Sequence, residues 1–129
     1  MATIFSRIIA GEIPCYKVGE EGEFFSFLDI NPLTKGHTLV IPKCETDYIF
    51  DLDDTTLSGM ILYAKKLAKQ IEASVDCKRV AIVVLGLEVP HAHIHLIPIL
   101  GEEDVDFKRE RVKLTPEEFA ELAAKIASK

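Results

Sequence analysis

Between residues 57 and 71 the apolar side chains recur at steps of three and four: Leu57, Met60, Ile61, Ala64, Leu67, Ala68 and Ile71. That period lays them along one stripe of a helix, which Asp53 or Asp54 is suited to cap and which is expected to run to about residue 75. A second stripe, Phe119, Leu122, Ala123 and Ile126, follows Thr115-Pro116-Glu117-Glu118. There an N-cap threonine, a proline at the first helical position and a reciprocal glutamate combine to start a C-terminal helix. A brief helix is expected over residues 4–9, with Gly11 suited to its end. Residues 16–18 and 24–29 read as two strands around a turn at 19–23, and residues 38–41 as a third strand that Pro42 ends. Two more strands are expected at residues 79–85 and at about 92–97. A hairpin, one long helix, two further strands and a terminal helix predict an α+β fold with a mainly antiparallel sheet of about five strands.

Composition narrows the class. The chain of 129 residues fits one domain, taken as residues 1–129. Its 48% hydrophobic and 28% charged residues are those of a globular protein and exclude a disordered one. The longest apolar runs, such as residues 80–85, are too short to cross a bilayer, and the first residues lack the basic start and apolar stretch of a signal peptide. No membrane partner is expected, and the cytoplasm is the expected location. Cys15, Cys44 and Cys77 are odd in number and widely spaced, which argues against a disulfide framework and against a zinc clip. A net charge of -6 disfavours a nucleic-acid polymer as partner. A single nucleotide remains compatible, because a few local donors hold one phosphate whatever the global charge.

Three of the four histidines fall at positions 91, 93 and 95. In His91-Ala92-His93-Ile94-His95-Leu96 the alternation sends Ala92, Ile94 and Leu96 to the core and lines three imidazoles along the other face. Such a cluster suits a metal, since two strand histidines in alternation chelate zinc, iron or copper. It equally suits nucleophilic chemistry without any metal or cofactor. An imidazole, with an ordinary pKa of about 6.5, attacks phosphorus near neutral pH, and a neighbouring imidazole shares the charge of the phosphoryl oxygens.

Val89-Pro90-His91-Ala92-His93-Ile94-His95-Leu96-Ile97-Pro98 resembles the signature of the histidine triad (HIT) family. Residues 4–14, Phe27-Leu28-Asp29-Ile30-Asn31-Pro32, and Gly36-His37-Thr38-Leu39-Val40-Ile41-Pro42-Lys43 resemble the family's other blocks, in the same order. The likeness is closest to the Hint-like branch, which hydrolyses nucleoside phosphoramidates. It implies a HIT-like fold, a homodimer joined through the long helix and a neighbouring strand, and a purine nucleotide substrate. It further implies that His93 is the nucleophile and carries the nucleotidyl intermediate. His95 would contact the phosphate oxygens and help the leaving group depart, with His91 and His37 completing the site. By the same likeness Asp29 binds the ribose hydroxyls, Ile4, Phe5, Ile8, Phe27 and Ile30 form the apolar base pocket, and backbone amides around Glu88 and Val89 hold the phosphate.

The chain also departs from the family. Many bacterial relatives carry a zinc site beginning with two cysteines where Thr3 and Ser6 stand here, and Glu45 replaces a frequent histidine ligand, so no structural zinc is expected. The polar loop before the triad is shortened to Val83-Val84-Leu85-Gly86-Leu87, and residues 101–129 form a less family-like extension. Two other classes therefore stay open: a nucleotide-binding module with little turnover, and a metalloenzyme with the three histidines as ligands.

Overall fold

The computed structural model describes residues 2–129. Helix α1 (Ile4–Ile9) opens where the Thr3 hydroxyl accepts from the Ser6 amide, and the chain leaves it through Gly11 at a φ of 81°, a conformation that favours glycine. Strands β1 (Lys17–Glu21), β2 (Phe24–Leu28), β3 (Thr38–Pro42), β4 (Arg79–Val83) and β5 (Ile94–Ile99) form one sheet in the order β1-β2-β3-β5-β4. Every neighbouring pair is antiparallel. Helix α2 (Asp54–Glu72) connects β3 to the far edge of the sheet, and α3 (Pro116–Ala127) closes the chain. Two 3-10 turns, Ile49–Asp51 and Glu102–Val105, carry no periodic apolar pattern that would announce them.

The two faces of the sheet bury different things. Ala92, Ile94 and Leu96 enter a core shared with Met60, Ala64, Leu67 and Ile71 of α2 and with Phe119, Leu122, Ala123 and Ile126 of α3. On the other face Phe25, Phe27, Leu39 and Ile41 pack against Phe5 of α1, with Ile8 at the margin. The histidine face of β5 belongs to this second side, since His95 pairs directly with Leu39.

Where the elements differ from the pattern, side-chain contacts explain it. Gly19 reads as turn punctuation, yet it lies inside β1, and a Cβ there would sit 3.0 Å from the Tyr63 hydroxyl. That hydroxyl hydrogen bonds to Ser26 at 2.8 Å and draws Tyr63 into the core. Ile61, expected in the buried stripe of α2, is instead 43% exposed. The helix stops at Glu72 rather than 75, with the Ser74 hydroxyl turned back onto the Gln70 carbonyl. The Asp53 cap and the Thr115–Glu118 capping box form as the sequence predicts.

Residues beyond 100 thus supply part of the main core. Ile126→Ala is expected to cost about 2–5 kcal/mol, the range for emptying a fully buried isoleucine site, in a single urea transition followed by circular dichroism. A loss below about 0.5 kcal/mol would show that α3 is not part of that core.

Candidate active site

All four histidines are buried, and a hydrogen bond sets the proton on each ring. His91 and His93 do not lie within β5, whose ladder begins only at Ile94; they occupy the irregular segment leading into it, where the Ala92 amide bonds to the Thr46 carbonyl. The alternation of faces nevertheless carries through, with Ala92 and Ile94 in the main core. His91 Nε2 lies 2.8 Å from the Pro42 carbonyl, an acceptor only, so this nitrogen bears the proton. Its Nδ1 then accepts from the Thr3 hydroxyl at 2.7 Å. His93 Nδ1 donates to the His91 carbonyl at 2.7 Å, which leaves the lone pair for Nε2.

The other pair is fixed from the opposite direction. The Leu33 amide donates to His37 Nδ1 at 3.0 Å, so the His37 proton resides on Nε2. That Nε2–H donates to His95 Nδ1 at 2.9 Å, and the remaining proton of His95 sits on Nε2. Two ring nitrogens are left over with opposite character. His93 Nε2 is an acceptor, or a nucleophile; His95 Nε2 is a donor. Among the described residues no fully buried side-chain nitrogen or oxygen lacks a partner, so both free nitrogens open onto solvent-accessible space.

Burial, reinforced by the Arg111 charge, pushes the His37 pKa down to about 3. Burial, then His37 and His93, push His95 down to about 3 against the pull of Asp29. His91 is lowered by burial too. The contact of 3.6 Å between His37 Nε2 and Asp29 Oδ2 is therefore dipolar rather than an ion pair. Donor atoms of Asp29, His37 and His95 lie within 4.8 Å of one another. A metal there would need the lone pair of His37 Nε2, which carries a proton as long as the Leu33 amide occupies Nδ1. His91 spends both nitrogens elsewhere, so the three triad histidines do not converge as a ligand set.

His93 and His95 open into a cavity of about 400 Å³, whose walls include Phe5, Asp29, Leu39, Glu88 and Val89. His37 and His91 stand behind it. Of the residues expected in an apolar pocket, Phe5 alone lines this cavity; Phe27 and Ile8 lie in the packing around Phe5, while Ile4 and Ile30 are 49% and 71% exposed. The cavity is completed by Asn31, by Leu85, Gly86 and Leu87 of the shortened loop, and by Phe107 and Arg111. Neither of the last two was legible as a site residue, because nothing in the local pattern of residues 101–115 signals that this segment returns to the triad.

Residues 10–100 match the model of the HIT domain. The chain belongs to the HIT family. It is 34% identical over 131 residues to the adenosine 5'-monophosphoramidase of Schizosaccharomyces pombe, covering 100% of this chain and 98% of that protein. By membership and by this full-length likeness it is an enzyme of the HIT type, a hydrolase. A crystal structure of a Hit-like protein from Bartonella henselae superposes with a TM-score of 0.83 at 30% identity, covering 98% of this chain and 94% of that one. A zinc-bound HIT family protein from Mycobacterium smegmatis gives 0.82 at 29%, covering 99% and 95%. In this HIT protein Thr3 Oγ1 meets Ser6 Oγ at 3.0 Å and His91 Nδ1 at 2.7 Å. Neutral hydroxyls are poor zinc ligands, and these already satisfy one another and the histidine.

The lowered histidines make folding sensitive to acid. An unfolded chain takes up protons on His37 and His95 near the ordinary imidazole value, whereas the folded chain resists until about pH 3. Stability is therefore full above about pH 6.5 and falls on acidification by up to about 1.4 kcal/mol per pH unit per histidine. Urea melts from pH 7.5 to 4.5 measure this, and His37→Asn, whose amide does not titrate, is expected to flatten the slope.

Proposed function

We propose that this HIT enzyme cleaves the P–N or P–O bond of a nucleoside phosphoramidate or related nucleotide through a covalent intermediate on His93, releasing a nucleoside monophosphate. The observation that carries the reading is the pair of free ring nitrogens in one cavity, a lone pair on His93 Nε2 beside a proton on His95 Nε2. In the first step His93 Nε2 attacks phosphorus, and the leaving amine departs with the electron pair of the broken bond and takes a proton from solvent. The imidazolium so formed keeps its Nδ1–H on the His91 carbonyl, whose dipole is aligned to stabilise the new charge. His95 Nε2–H donates to a phosphoryl oxygen, with His37 holding its other nitrogen. A water then attacks phosphorus, the P–N bond to His93 breaks with its electron pair returning to Nε2, and a proton passes to solvent.

Asp29 suits the ribose, since one carboxylate accepts from two vicinal hydroxyls. Its Oδ1 is braced by the Asn31 amide at 2.8 Å. Phe5, Leu39 and Val89 offer the apolar wall for a purine, with Ile8 and Phe27 packed around Phe5, and backbone amides near Glu88 and Val89 would meet the phosphate. The proposal includes a homodimer. Strand β4 is an edge of the sheet, and Ile82 on it and Val84 just after it, with Ile61 and Leu62 on α2, expose 53%, 38%, 43% and 65% of their surface. Cytoplasmic location accords with three cysteines that are all free.

Intact-protein mass spectrometry after mixing with adenosine phosphoramidate tests the reaction. Wild type is expected to gain the mass of a nucleotidyl group. His93→Ala and His93→Gly should gain none and lose turnover by at least about a thousandfold. Tight AMP binding by wild type without adduct or turnover would instead assign the chain to the binding modules, a reading the apolar Leu85-Gly86-Leu87 loop favours.

A further inference from the structure

The geometry points to Arg111 as the residue that receives the negative charge of the bound nucleotide, a role that rests on the nucleotide reading above and adds the C-terminal segment to the site. Besides the histidines, three acidic or basic side chains line the cavity: the carboxylates of Asp29 and Glu88, and the guanidinium of Arg111. Among the described residues Arg111 is the one lysine or arginine in that lining. A phosphoryl anion entering a cavity with two carboxylates on its wall, in a chain of net charge -6, meets repulsion that His37 and His95, being uncharged, do not cancel. One cation on the wall changes that balance locally.

Arg111 is held for the task rather than loose. One guanidinium nitrogen donates to the Asn31 carbonyl at 2.7 Å and the other terminal nitrogen to the Phe107 carbonyl at 3.0 Å. The group also lies over the Phe107 ring, 5.6 Å from its centroid. Those bonds use two of the five N–H groups of a guanidinium and leave the rest for a ligand. Its backbone neighbour is pinned as well, the Val112 amide bonding to the Pro32 carbonyl at 2.9 Å. Phe107 in turn sets its ring edge-on to His95 with 5.0 Å between centroids. The segment thus forms a wall that joins the Asp29–Pro32 turn to the histidine that faces the phosphate, with the charge of Arg111 felt at both His37 and His95.

A residue that only braced the 29–32 turn would matter equally for any ligand of the site. A residue that receives the phosphate matters only for a charged one. Titration calorimetry with AMP and with adenosine, on wild type, Arg111→Met and Arg111→Lys, separates the two, with thermal melts to establish that each variant is folded. Arg111→Met is expected to weaken AMP binding by about tenfold and adenosine binding by no more than about twofold. Arg111→Lys, which keeps the charge and loses the fork, should fall between, and added salt should narrow the gap between wild type and Arg111→Met. Equal weakening of both ligands would overturn the proposal in favour of a bracing role, and no change in either would overturn it outright. Wild type that binds neither AMP nor adenosine would overturn the nucleotide reading itself, and the role of Arg111 with it.

Discussion

The site depends on one hydrogen bond, from His93 Nδ1 to the carbonyl of His91 two residues back in the chain, at 2.7 Å. A carbonyl only accepts, so this bond fixes which nitrogen of His93 carries the proton and which offers its lone pair to the cavity. The bond is only as dependable as the peptide that makes it, and the His91 side chain anchors that peptide at both ring nitrogens, to Pro42 and to Thr3. The residue beside the nucleophile thus acts as a structural bracket. Its ring is fully buried and bonded at both nitrogens.

The fold supplies these constraints through β3. Its last residue, Pro42, presents the carbonyl that receives His91, and the chain just before its first residue presents His37 to His95. One strand therefore sets the orientation of two triad histidines from its two ends, while its register with β5 holds Leu39 opposite His95. Burial does the electrostatic work. Removing His37 and His95 from water keeps both neutral, which preserves the donor–acceptor sequence from the Leu33 amide to the cavity. The same burial makes these rings a liability in acid, so the arrangement that orders the site also limits the pH range over which the chain stays folded.

Much of this was legible in the sequence because the alternation of residues 91–96 and the stripes of α2 and α3 encode which side chain faces which way. Sidedness survives local irregularity: His91 and His93 lie outside the strand, yet Ala92 and Ile94 still reach the core. What the sequence concealed is what arises from contacts between distant segments. Gly19 reads as a turn until the Tyr63 hydroxyl is seen to need its space. Phe107 and Arg111 have no periodicity or motif to mark them, and enter the site because the segment after β5 folds back over the turn at Asn31 and Pro32. In sequence Thr3 marks only a departure from a cysteine position, whereas its hydroxyl completes the bracket on His91.

Nitrogen-15 NMR of the imidazole side chains at neutral pH reads these protons directly, since the chemical shifts and ring couplings distinguish a protonated from an unprotonated ring nitrogen. A proton is expected on Nδ1 of His93 with Nε2 bare, and protons on Nε2 of His37, His91 and His95. A His93 ring carrying its proton on Nε2, or a His95 ring carrying its proton on Nδ1, would overturn this assignment of the site.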